Sequence, residues 1–183
     1  MTVLVGMVVA GIAFAQDKSA SARPGMPDVA AQRDAMQKLA AFVGKWQGTG
    51  TMQMGQQSHS YNQTEDCAWG LDGLILRVDG RGVDPDAPAD APPVHHAFGV
   101  VSYNDRAQKY EFRAYTNRGF ASTFDFVMLG DGKFEWGMKM PGNQTRYQIE
   151  LTNDTWRETG ERSGDDGKTW TKFLEMNLKK VKE

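Results

Sequence analysis

The residues of this chain that could do chemistry are few and widely spaced. His95 and His96 are adjacent, with Asp84, Asp86 and Asp90 just upstream. On a strand, neighbouring side chains face opposite sides, so the two imidazoles do not easily share one ion, and the aspartates follow no recognised ligand spacing. Cys67 stands alone, cannot form an internal disulfide, and reads as a small buried apolar residue. No Ser-His-Asp set, phosphate-binding glycine loop or dinucleotide fingerprint is present. Glycoside hydrolysis would need two carboxylates facing across a cleft, and spacing alone places no pair that way. One polar set remains. Arg113 and Tyr115 share a face of one segment, and Glu158 is in phase with Trp156. Buried together they would orient a bound molecule, or act as an enzyme's polar cluster, with the Arg-Glu pair hydrogen-bonded to offset its lost hydration. The competing reading, slightly preferred, makes Arg113 and Glu158 ordinary outward charges.

The elements that would position such groups follow from periodicity. Residues 28–43 are helix-like: Ala31, Ala35, Leu39 and Phe42 recur at three- and four-residue intervals. Asp28 is placed to cap the start and Gly44 to stop the end. From Lys45 onward the pattern changes to about ten short alternating segments, 45–55, 58–69, 73–83, 94–103, 108–117, 119–129, 132–140, 144–152, 155–162 and 168–180. Turn signals such as Asn104-Asp105, Gly130-Asp131-Gly132 and Pro141-Gly142-Asn143 separate them. The gaps are too short for crossover helices, so the strands are antiparallel neighbours. One connection is long, Asp84 to Pro93, and reads as an exposed loop over one end.

Alternation assigns a dry and a wet face. Trp46, Met52 and Met54 share one side of the first segment; Phe120, Ser122, Phe124, Phe126 and Met128 share one in the sixth. Phe134, Trp136, Met138 and Met140 follow in the seventh, and Tyr147, Ile149 and Leu151 in the eighth. In the last segment Trp170, Leu174, Met176 and Leu178 line up, interrupted by Lys172. An open meander of this length would leave two bare edges, and closure removes them. The expected fold is therefore all-β: a closed antiparallel up-and-down barrel of about ten strands, with the short N-terminal helix capping one end.

The N-terminus carries a targeting pattern. Val3 to Phe14 is almost wholly apolar and Ala13-Phe14-Ala15 suits signal peptidase, although no Lys or Arg precedes the run. The reading is a signal peptide at 1–15, a flexible leader at 16–27 and one barrel domain at 28–183, giving a periplasmic or secreted protein. The apolar run is too short to span a bilayer, which takes about 20 residues, so no stable membrane span is expected after cleavage. A net charge of −2 with singly scattered cations argues against nucleic acid as a partner.

Certain motifs carry a resemblance. Phe42-Val43-Gly44-Lys45-Trp46-Gln47-Gly48-Thr49-Gly50 resembles the Gly-x-Trp opening of lipocalin and fatty-acid-binding (calycin) proteins, and its later glycines are similar to the opening of nitrobindin-type haem barrels. With Trp69-Gly70-Leu71-Asp72-Gly73, Gly99 to Tyr103, Trp156-Arg157-Glu158 and Ser163 to Trp170, nearly all of 36–180 resembles an uncharacterised family of exported bacterial domains. That resemblance implies a ten-stranded calycin-like barrel and no established activity. The nitrobindin likeness implies a late haem-ligating histidine, yet the histidines here are His59, His95 and His96. Met176 is a poor substitute on an apolar face, so haem is disfavoured and no cofactor is expected. Ser163 to Trp170 also resembles the Asp-box of sialidase propellers; occurring once, it reads as a structural hairpin turn.

These readings converge on a lumen. Methionines at 52, 54, 128, 138, 140 and 176 adapt to irregular apolar shapes, and the tryptophans supply flat walls. The first functional expectation is a non-enzymatic barrel binding an apolar or amphipathic small molecule, with Trp46, Met52, Met54, Arg113, Tyr115, Phe124, Trp136, Met138, Trp156, Glu158 and Met176 as lumen candidates. The alternatives are a filled structural or partner-binding barrel, and an enzyme using Arg113, Tyr115 and Glu158. A lumen of about 300 Å³ or more separates the first from the second. Oligomeric state leaves no readable mark.

Overall fold

The computed structural model describes residues 25–88 and 90–182. Residues 1–15, expected to be a signal peptide, most of the expected leader at 16–27, and Glu183 lie outside the described residues. One helix, α1 (Val29–Gln37), precedes ten strands: β1 (Gly44–Met54), β2 (Gln57–Gly70), β3 (Ile75–Val83), β4 (His95–Asn104), β5 (Lys109–Thr116), β6 (Ala121–Gly130), β7 (Lys133–Met140), β8 (Asn143–Leu151), β9 (Thr155–Ser163) and β10 (Thr171–Lys180). Each strand pairs antiparallel with its sequence neighbours, and β1 pairs with β10, closing the barrel. The expected architecture is the observed one.

Helix α1 begins where the Asp28 carboxylate accepts from the Ala31 amide at 3.0 Å, a first-turn cap. It stops earlier than the periodicity suggests, and a single 3-10 turn at Ala40–Phe42 carries the chain into β1. The helix lies across the end formed by the β4–β5 and β2–β3 connections. Gln32 Nε2 donates to Asp105 at 2.8 Å, Arg33 Nε to the Asp72 carbonyl at 3.0 Å, and Tyr110 Oη to the Ala35 carbonyl at 2.7 Å. Met36, Leu39 and Phe42 are thereby driven into this end of the barrel and are buried. We call it the floor. The long connection after Val83 returns at the opposite end, the mouth.

At the floor Trp46 is sealed in. Its Nε1 donates to the Phe42 carbonyl at 2.8 Å, and its ring meets Trp156 edge-on at 5.8 Å between centroids. At Gly48 the backbone of β10 approaches so closely that a Cβ would sit 2.1 Å from the Asn177 carbonyl oxygen. Only glycine fits there, which is what the Gly-x-Trp-x-Gly run supplies.

Two features of the alternation are corrected. Lys172 pairs with Glu161 and Leu174 with Gly160, so Phe173 is an extra residue in the ladder. A bulge of this kind reverses the phase of a strand. It sends Lys172 outward and Leu174 inward, which explains the interrupted pattern. Trp170, on the far side of the bulge, does not share the lumen face: its ring lies under the Arg146 guanidinium at 4.1 Å. The Ser163–Trp170 segment is the expected hairpin turn. Asp165 accepts from Thr169 N and Oγ1 and from Ser163 Oγ, hydrogen bonds that hold its carboxyl down at about 2.

Candidate functional site

The barrel is hollow above its floor. A cavity of about 420 Å³ runs from Phe42, Leu76 and Ile149 upward to His95, Thr116 and Phe120. A second hollow of about 350 Å³ adjoins it at the mouth, sharing Met52, Tyr61, His95, Thr116 and Phe120. Burial falls steadily along the way. On β7 Phe134 is buried, Trp136 and Met138 half-buried and Met140 exposed. On β6 and its approach the order runs from Phe126, buried, through Phe124 to Phe120, 70% exposed.

Most of the wall is aromatic or aliphatic. Trp136 stacks flat on Tyr147, 3.9 Å between centroids and 5° between planes, and meets Phe112 and Phe124 edge-on. Such contacts fix flat side chains without filling the space between them.

Set deep in this wall is a polar group drawn from three strands. Tyr61, Gln63 and Glu65 come from alternate positions of β2, Tyr147 from β8 and Glu158 from β9. Glu65 is 8% exposed, Glu158 7% and Gln63 3%. Both indoles of the wall serve Glu158: Trp136 Nε1 donates to Oε1 at 3.2 Å and Trp156 Nε1 to Oε2 at 3.1 Å. Glu65 Oε1 accepts from Gln63 Nε2 at 2.7 Å. Gly80 faces Glu65 across the β2–β3 pair, and a Cβ there would fall 2.6 Å from a Glu65 carboxylate oxygen. The glycine makes the room that the carboxylate occupies.

No described residue lining the main hollow is Lys or Arg. Burial therefore dominates the protonation of the carboxylates. Glu65 is pushed up to about 8, first by burial and further by Glu158 and Asp79, against the hydrogen bond from Gln63. Burial raises Glu158 to about 7, opposed by the two indole N–H groups. Tyr61 and Tyr147 rise to about 12, from burial and then the nearby carboxylate of Glu158. Among the described residues, no three His, Cys, Asp or Glu side chains come together as a metal site.

The sequence candidates divide. Met52, Phe124, Trp136, Met138, Trp156, Glu158 and Met176 line the main hollow. Met54 is exposed and borders only the mouth hollow, because β1 ends there. Trp46 is a floor plug rather than a wall. Arg113 and Tyr115 are corrected outright: both point outside the barrel. Phe112 pairs with Val101 on one side and Phe124 on the other, all inward, so the two-residue period turns 113 and 115 out. Arg113 pairs with Glu111 at 2.8 Å on the outer surface, and Tyr115, 52% exposed, sits opposite Phe98. The Arg113–Tyr115–Glu158 cluster does not assemble.

Tyr61, Gln63, Glu65 and Tyr147 were not among the candidates. Cys67 and Trp69 continue the phase of Tyr61, Gln63 and Glu65 on β2, and that shared phase is the signal for the inward side.

No family model and no curated protein matches the chain. Among solved structures it is similar to Rv2717c from M. tuberculosis, with a TM-score of 0.60 and 14% identity over 81% of this chain and 98% of that one. It is also similar to the S-type phycobiliprotein lyase CPES from Guillardia theta, with a TM-score of 0.55 and 13% identity over 81% and 93%. The fold shown is a closed ten-stranded antiparallel barrel, to which both likenesses conform. At these identities the likeness extends to architecture alone.

Proposed function

We propose that the protein binds an apolar or amphipathic small molecule inside the barrel. The observation that carries this reading is the hollow itself: about 420 Å³, walled by Phe112, Phe124, Trp136, Met138 and Met176 and open toward the mouth. Ligand sites in proteins are concave, mostly apolar and fitted with a few polar groups, and start at about 300 Å³. A barrel closed only for its own stability would fill this space with side chains, as its floor does. The similar barrel named as a phycobiliprotein lyase lends its fold and not its ligand.

Native mass spectrometry of protein purified from its own host tests the reading. The expected result is a co-purifying small-molecule mass that organic solvent removes; a clean apo mass under gentle conditions counts against it. Export belongs to the same proposal, since the leader pattern would deliver the barrel outside the cytoplasm. The mature chain is expected to begin at Gln16 by N-terminal sequencing.

A further inference from the structure

The polar groups of the lumen are unbalanced in a way that specifies the ligand's head. The protein atoms that contact the two buried carboxylates are donors: two indole N–H groups on Glu158 and the Gln63 amide on Glu65. Gln63 Nε2 also donates to the Thr64 carbonyl at 3.3 Å, which cannot donate in return, so the amide orientation is fixed. Its other atom, Gln63 Oε1, is then a buried acceptor without a partner. The atom itself is fully buried, 3.0 Å from where a Gly82 side chain would begin, although Gln63 as a residue borders the lumen. Leaving such an atom unsatisfied is costly, and native proteins rarely do so without a reason.

Glu65, Glu158 and Gln63 all line one hollow, with no Lys or Arg among its described lining residues. A wall row runs from Tyr61 through Gly50 and Met176 to Glu158, and the Tyr61 ring lies over Gly50, where a Cβ would fall 2.3 Å from it. A metal cation would want three or more protein ligands here, and no such group forms among the described residues. An apolar chain with a nitrogen head supplies positive charge and charge-assisted donors on a body that suits the aromatic wall.

Resting on the lumen-binding reading above, we infer that the ligand is an amphipathic amine, its apolar body against the aromatic wall and its nitrogen donating to the carboxylates of Glu65 and Glu158.

Three probes of equal chain length test this by titration calorimetry at pH 8: n-decylamine, n-decanol and n-decanoate. Decylamine is expected to bind roughly tenfold or more tighter than decanol, the margin of a charge-assisted hydrogen bond, and decanoate more weakly than decanol. Glu65→Gln and Glu158→Gln should shrink the amine's advantage over the alcohol to about threefold or less, the ratio within each variant being the readout. The wild-type protein gives an independent readout. Between pH 6 and 8.5 both carboxylates shed protons while the amine stays charged, so the amine-to-alcohol affinity ratio should rise. Around the pair, Tyr61, Tyr147 and Cys67 are held neutral by their raised values and His95 by its lowered one, while Asp66, Asp79 and Lys180 are the neighbouring charges of β2, β3 and β10. Equal binding of amine and alcohol, or tighter binding of decanoate, overturns the amine assignment and leaves the binding reading standing. Absence of binding by all three removes both.

Discussion

The two ends of this barrel are built from the same strands and behave as different materials. At the floor, Phe42 is packed among Phe126, Phe134 and Trp156 with ring centroids 4.8–6.3 Å apart, and Trp46 and Leu39 close the remaining space. Toward the mouth the same faces carry Phe124, Met138 and Phe120, partly exposed around open volume. The contrast arises from what covers each end. A helix with buried Met36, followed by buried Leu39, plugs one, while the described residues give the other hairpin turns and the connection after Val83. Stability is concentrated where water is excluded, which leaves the upper half free to specialise in contact with something else.

Truncations should expose that division. Trp46→Ala removes a sealed ring, its hydrogen bond to Phe42 and its contact with Trp156, and is expected to cost about 3–5 kcal/mol in denaturant unfolding. If the cost were near zero, the floor would not be the stable half.

Glu65→Gln comes next and acts in the opposite direction. Glu65 titrates near 4.5 in the unfolded chain and near 8 in the fold. Between those values the folded chain holds a proton that the unfolded chain has lost. The carboxylate therefore leaves stability unpenalised below pH 4.5, lowers it as pH rises to about 8, and lowers it by a constant amount above. Glutamine keeps an acceptor for Gln63 and removes the titration, so the variant should gain on the order of 2 kcal/mol over wild type at pH 8.5 and little at pH 4.5. A difference independent of pH would show that Glu65 is not buried in the way described. Glu158→Gln should gain less, because its amide nitrogen would face one of the two indole donors.

At the mouth, Phe124→Ala should cost about 1 kcal/mol of stability, less than the floor truncation because the ring is only partly buried, yet weaken decanol binding about fivefold. Smallest of all, Arg113→Ala and Tyr115→Ser on the outer wall should stay within about 0.5 kcal/mol of wild type and leave decanol binding unaltered. An effect of either on binding would place those side chains back in the lumen.

How far the sequence could be read follows the same division. The barrel was legible because apolar alternation on β6, β7 and β8 is regular and the turns between them are rich in glycine and asparagine. Glu158 was legible from its phase with Trp156. The β2 cluster was harder to see because its inward face is polar: Tyr61, Gln63 and Glu65 break the rule that inside means apolar, and Cys67 and Trp69 alone mark the phase. Arg113 and Tyr115 were misplaced because the decisive fact is a register, Phe112 against Phe124, that no single strand displays. The bulge at Phe173 is likewise a property of a pair of strands, and it inverts the phase that Lys172 and Trp170 suggest.

The most direct test of the hollow upper barrel is to fill it. Ala114 faces the lumen on β5 beside Gly99 and Ser122, so Ala114→Trp would place an indole in the open volume. Calorimetry with n-decanol should show saturable one-to-one binding to the wild-type protein and none to the variant, at an unfolding temperature changed by no more than a few degrees. Equal binding to both, or to neither, would contradict a lumen that serves as the binding site.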